Sequence, residues 1–81
     1  MEERVAVISI IVEEPESVEE LNSLLHEYAK YVIGRMGIPY PQKKINIIAI
    51  AVVADSDRIN ALTGAIGRLK GVTCKATYQK A

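Results

Sequence analysis

Ten consecutive residues, Ile45 to Ala54, read INIIAIAVVA, with no glycine or proline among them. A run so short, so apolar and so rich in β-branched residues suits a central strand covered on both faces. A second run, Arg4 to Val12 (RVAVISIIV), has the same character and ends at Glu13-Glu14-Pro15, so it also reads as a buried strand. With 81 residues the chain is read as one domain, 1–81, and both strands must share a single core.

The remaining segments fall around these two. Ser17 followed three residues later by Glu20 has capping-box spacing and predicts a helix start. Val18, Leu21, Leu24, Leu25 and Tyr28 then form one apolar stripe, with Glu19, Glu20 and Glu27 pointing away. Tyr31-Val32-Ile33-Gly34-Arg35-Met36 predicts a short strand, which Gly37, Pro39 and Pro41 are expected to end. Asp55-Ser56-Asp57 offers capping side chains to a second helix whose stripe is Ile59, Leu62, Ile66 and Leu69 and whose stop is Gly71. Val72, Cys74, Ala76 and Tyr78 alternate with Thr73, Lys75, Thr77 and Gln79, the pattern of a strand with one wet face. The order is βαββαβ. Right-handed crossovers place both helices on one side of one antiparallel sheet, which is the α+β ferredoxin-like plait, with expected strand order 4-1-3-2 and the two most apolar strands at the centre.

Two helices cover only one face of such a sheet, yet both central strands are apolar on both parities. A bare apolar face of that kind marks an interface, and the reading is a homo-oligomer, a dimer or a tetramer.

Charge and composition remove several functions. The ten Lys/Arg and ten Asp/Glu balance, so no overall positive field gathers nucleic acid or an anionic membrane. The balance is uneven: residues 1–27 hold eight acids and one base, and the rest hold two acids and nine bases, which reads as polarity of faces. The central strands carry no aromatic platform for bases. The longest apolar run is far below the roughly 20 residues needed to cross a bilayer, and there is no secretory-leader pattern. One cysteine, Cys74, excludes an internal disulfide or a multi-cysteine metal site in one chain. A cytoplasmic protein is expected, without nucleic-acid or membrane partners.

Few residues invite chemistry. His26, the only histidine, lies beside the helix stripe without a nucleophile motif or a second histidine, and reads as a boundary residue, neither catalyst nor metal ligand. Cys74 shares its parity with core residues and reads as a small hydrophobe. Gly64 and Gly67 within a helix each cost roughly 1 kcal/mol relative to alanine, which suggests close backbone packing. No phosphate-cradling glycine motif is present. The least generic segment is Gly34-Arg35-Met36-Gly37-Ile38-Pro39, where two glycines and a proline set the backbone and Arg35 can address a carboxylate or a partner. No catalytic, metal or cofactor site is expected.

Leu24-Leu25-His26-Glu27-Tyr28, Ile33-Gly34-Arg35-Met36-Gly37-Ile38-Pro39, Ile45-Asn46-Ile47-Ile48, Leu62-Thr63-Gly64, Gly67-Arg68-Leu69 and Gly71-Val72 together resemble the iron-only hydrogenase system regulators. The resemblance spans nearly the whole chain. It implies an ACT-like domain, distantly similar to the C-terminal sensor domain of nickel-responsive regulators. The helix histidine of the latter is kept at His26, but their other ligand positions fall near Gly37, Pro39 and Ile45, so a nickel site is not implied. Amino-acid-binding ACT domains use a glycine in the loop that here reads Glu13-Glu14-Pro15-Glu16, which does not favour an amino-acid ligand. The expectation is a non-enzymatic oligomeric sensor or regulator that contacts a protein partner or small effector through His26, Arg35, Met36, Gly37 and Ile38. The alternative is a structural oligomerisation or assembly module without a small ligand.

Overall fold

In the computed structural model, which describes residues 2–80, β1 (Arg4–Val12) and β3 (Ile45–Ala54) pair antiparallel along their lengths, Arg4 opposite Ala54 and Val12 opposite Asn46. β2 (Val32–Tyr40) adds to the free side of β3 and β4 (Val72–Tyr78) to the free side of β1, giving the order β2-β3-β1-β4. Read from the other edge this is the expected 4-1-3-2. The two most apolar strands take the centre because only there are both of their edges paired.

Helices α1 (Ser17–Glu27) and α2 (Ser56–Gly67) cover one sheet face. Ala6, Ile8, Ile10 and Val12 of β1 and Ile48, Ile50, Val52 and Ala54 of β3 meet Leu21 and Leu25 of α1 and Ile59, Leu62 and Ile66 of α2 in one buried cluster. Each large side chain in it contributes about 1.5–3 kcal/mol through burial. Val18, Leu24 and Tyr28 flank the cluster half-buried, as their stripe predicts, and Cys74 packs against it beside Val72, Ala76 and Tyr78.

Four local expectations need correction. The capping box does not form: Glu16 precedes α1 in helical conformation without a side-chain cap. Ser17 is buried instead, and its hydroxyl donates to the carbonyl oxygen of Lys70 at 2.6 Å. β2 begins after a 3₁₀ turn (Ala29–Tyr31) and continues through Gly37 and Pro39 to Tyr40, with a bulge at Ile33. Proline is tolerated there because β2 is an edge strand, paired only to β3, where a missing N–H need not break a ladder. α2 ends at Gly67, before Leu69 and Gly71. Gly71 serves the next turn at φ +68°, a left-handed conformation that suits glycine, with its carbonyl accepting from the Glu13 N–H at 2.8 Å. Finally, close packing within the chain does not explain the helix glycines: a methyl group on Gly67 would meet no neighbour within 4 Å, and one on Gly64 only the Arg68 guanidinium at 3.6 Å.

Candidate functional site

The register sorts the suspected residues onto opposite faces. Met36 lies opposite Ala49 and Ile38 opposite Ile47, on the face without helices; Arg35 lies opposite Ile50 and Gly37 opposite Ile48, on the helix side. From Ile33 to Tyr40, β2 is exposed on both sides, so the strand extends beyond the helix layer as an unaccompanied ribbon. Gly34, Arg35, Gly37 and Pro39 bring no bulky apolar group that would draw a helix over it.

The bare face is apolar. Val5 and Val7 of β1 and Met36, Ile38 and Tyr40 of β2 are large apolar side chains between 38% and 55% exposed. Between them run Ile47, Ala49, Ala51 and Val53 of β3, while β4 contributes the polar Thr73, Lys75 and Thr77. The apolar area is therefore displaced toward the β2 edge, with a polar margin on the β4 side. Arg35 and Met36 share a shallow depression there of about 270 Å³ with Val7, Gly34 and residues 49–51. Gly37, Ile38 and His26 do not line it. His26 sits exposed in the last turn of α1, where a basic group suits the carbonyl end of the helix dipole.

The helix layer holds a groove of about 520 Å³, between Glu20, Ser23, Leu24 and Glu27 of α1 and Ala65, Arg68 and Leu69 beside them. Its charged side chains are exposed and of both signs, as on an ordinary solvated surface.

A more specific arrangement occupies the end of the sheet where β1 starts and β3 stops. Asp55 caps α2: its Oδ1 accepts from the Arg58 backbone N–H and from the Arg58 guanidinium, each at 3.3 Å. The residue is only 8% exposed, and its second oxygen, Oδ2, is buried without a hydrogen-bond partner. The hydrogen bond to Asp55 holds the Arg58 guanidinium above its ordinary pKa, and the same guanidinium lies 5.4 Å over the Tyr31 ring. On the far side Arg4 stacks over Tyr78 at 4.5 Å, and the Tyr78 hydroxyl donates to Asn60 at 2.8 Å. Two clefts flank Asp55, one with Glu3, Tyr31, Ala54 and Arg58, the other with Glu2, Arg4, Ser56 and Asp57. The sequence announced Asp55 only as a cap. Its unpartnered oxygen has no local signature, because it arises from the way β1 and the 3₁₀ turn close around the start of α2.

Among the described residues no group of three or more His, Cys, Asp or Glu side chains is placed to hold a metal ion, and no helix is long and apolar enough to cross a membrane. Burial pushes the Cys74 thiol up, away from the reactive thiolate.

Fold and surface define a ferredoxin-like plait with one uncovered apolar sheet face and an exposed edge ribbon. Residues 4–76 match the family model TM1266-like, described as "Iron-only hydrogenase system regulator, putative", and the chain belongs to that family. The solved structure of the uncharacterized protein TM1266 from Thermotoga maritima is 30% identical and superposes with a TM-score of 0.94 over 98% of this chain and 100% of that one. A formyltetrahydrofolate deformylase from Pseudomonas putida KT2440 (14% identity, TM-score 0.66) matches over 90% of this chain but 28% of its own. The de novo designed protein Foldit4 (19% identity, TM-score 0.61) matches over 99% of each chain. These last two share the fold alone. No curated protein sequence matches.

Proposed function

We propose that the protein is a non-enzymatic, cytoplasmic regulatory module of the iron-only hydrogenase system that works as a homo-oligomer, a dimer or a dimer of dimers, joined through the bare sheet face. A small effector or a partner protein binds beside that interface at Arg35, Met36, Gly37 and Ile38. His26 does not line the same depression and is exposed in the last turn of α1, on the helix layer. The observation that carries this reading is the side-by-side exposure of Val5, Val7, Met36, Ile38 and Tyr40 on one face of a small domain. Contiguous apolar surface of this kind is rare on monomers and is removed from water most simply by a second copy of itself.

One observation favours the narrower reading of a structural assembly module without a small ligand. The depression at Arg35 and Met36, about 270 Å³ and wide open, lies just under the usual span of about 300–1,000 Å³ for small-molecule sites.

Native mass spectrometry of the freshly purified chain tests both readings. An oligomer carrying added mass supports the sensor, an oligomer without added mass supports the assembly module, and a monomer overturns the interface. Met36→Asp places a charge in the centre of the proposed contact and is expected to yield folded monomer, because Met36 is already 55% exposed in the isolated chain.

A further inference from the structure

We infer that a second copy of this chain adds to the free edge of β2, pairing β2 with β2 antiparallel about a two-fold axis at Gly37 and joining two sheets into one. This contact is separate from the one proposed for the sheet face, which covers side chains and leaves the strand edge free.

The two edges of the sheet differ in their protection. β4 spans seven residues, and Lys75 stands at its centre between Thr73 and Thr77, a charge that discourages a further strand. β2 spans nine residues, and Arg35 is its only charged one. Its large apolar side chains Ile33, Met36, Ile38 and Tyr40 are 40–68% exposed. The bulge lies at Ile33, and from Gly34 to Tyr40 the pairing with β3 is regular. A long, apolar, regular edge is a template for another strand.

The backbone identifies that strand as β2 of a second copy. Pro39 and Pro41 have no N–H, so the pairing of Pro39 with Asn46 and of Tyr40 with Ile45 runs through the backbone groups of Ile38 and Tyr40. Alternation then turns those of Arg35, Gly37 and Pro39 outward. With Gly37 opposite Gly37 of the second copy, the two glycines exchange N–H and C=O. Each Arg35 N–H meets the Pro39 carbonyl of the other chain, so the missing proline donor leaves no N–H unpaired. On the bare face Met36 then lies opposite Ile38, and Tyr40 opposite Gly34, where its ring covers the missing side chain. On the helix side the two Arg35 residues are four positions apart, about 13 Å along the strands. An axis at Arg35 would set like charges face to face, and one at Met36 would bring them within two positions. The chosen register also makes the apolar faces of the two copies continuous, and it places Arg35 of one chain beside Pro39 of the other, so the suspected effector residues come from two subunits.

The test combines native mass spectrometry with amide hydrogen exchange on the full chain. Gly37→Lys sets like charges opposite each other at the axis, on the helix side, and its Cβ meets no neighbour within 4 Å, so the fold survives. It should halve the parent's subunit count, while Gly37→Ala should keep it. The Arg35 amide should exchange at least tenfold more slowly in the parent than in Gly37→Lys, because a second copy alone supplies its acceptor. Gly37→Pro removes the axial N–H but no bond to β3 and should behave as Gly37→Lys; if it does not fold, Gly37→Lys and the Arg35 amide decide. A monomeric parent, an unchanged count in Gly37→Lys or equally fast Arg35 exchange in both proteins would each overturn the edge contact. Val7, 48% exposed on the bare face of β1, is remote from that edge, so the subunit count of Val7→Asp reports separately on the sheet-face contact.

Discussion

Ser17, the first residue of α1, donates its hydroxyl to the carbonyl oxygen of Lys70 at 2.6 Å, bridging 53 residues of sequence. The contact ties the β1–α1 connection to the α2–β4 turn, and Glu13 N–H to Gly71 C=O at 2.8 Å reinforces it. Both loops close one end of the plait, so the start of α1 depends on tertiary structure and not on its own cap.

Ser17→Ala should therefore destabilise the protein by about 1 kcal/mol, the net value of a hydrogen bond that also leaves an acceptor unpaired. In a domain of this size the thermal midpoint should fall by roughly 4–8 °C, measured by circular dichroism at fixed protein concentration.

Two glycines should respond in opposite directions to alanine. At Gly71 the new Cβ would lie 2.6 Å from the Glu14 Cβ and 3.1 Å from its backbone nitrogen, at φ +68°. Left-handed backbone alone costs a non-glycine residue about 1–2 kcal/mol, and the clash adds to it. Gly64→Ala meets only ordinary contact, 3.6 Å from Arg68, and should stabilise α2 by about 0.5–1 kcal/mol. Urea midpoints at constant slope read both changes.

Lys44 closes the β2–β3 turn at φ 57°, where a side chain is strained. Lys44→Gly should raise stability by up to about 1 kcal/mol, the relief being partly offset by the greater freedom of glycine in the unfolded chain. A lowered urea midpoint would show that the lysine side chain makes a contribution of its own.

Arg35→Ala should leave stability within about 0.5 kcal/mol of the parent, because the side chain is exposed on an edge strand. It faces away from Met36 and should also leave the subunit count unchanged. Native mass spectra should show weaker retention of whatever effector or partner the parent carries, and equal retention would remove Arg35 from the proposed site.

Cys74 supplies a pH dependence. Desolvation raises its folded pKa above the unfolded value of about 8.5, so between the two values the folded state binds more protons. Its contribution is fully present below the unfolded pKa and is lost as pH rises through the folded value. Parent protein should lose more stability from pH 7 to pH 10 than Cys74→Ala does. Iodoacetamide should alkylate the native thiol severalfold more slowly than the unfolded one.

Much of the plait was legible because periodicity reports burial. INIIAIAVVA and RVAVISIIV are apolar on both parities, and only central strands meet that demand. The Ile59, Leu62, Ile66 stripe likewise marks the buried side of α2. Gly37 and Pro39 misled because they weaken strands in general, whereas an edge strand with its outer groups in water accommodates both. The Ser17–Glu20 spacing misled because Glu16 takes the cap position, so Ser17 lies inside the first turn and its hydroxyl donates to the distant Lys70 carbonyl. Of the suspected site, Arg35 and Met36 do share a depression, but strand alternation places them on opposite faces, while His26 lies elsewhere on the helix layer.

The sequence by itself determined the order of elements, the sheet topology and the existence of an uncovered apolar face, because each follows from local periodicity and the handedness of crossovers. Only tertiary structure decided where the polar groups meet. Asp55 is a routine cap in the linear chain. It becomes a buried carboxylate with an unpartnered oxygen because Glu3, Tyr31 and Arg58, distant in sequence or on different elements, converge on one end of the sheet. Hydrogen-bond satisfaction is a property of three-dimensional surroundings, and no spacing rule along the chain encodes it.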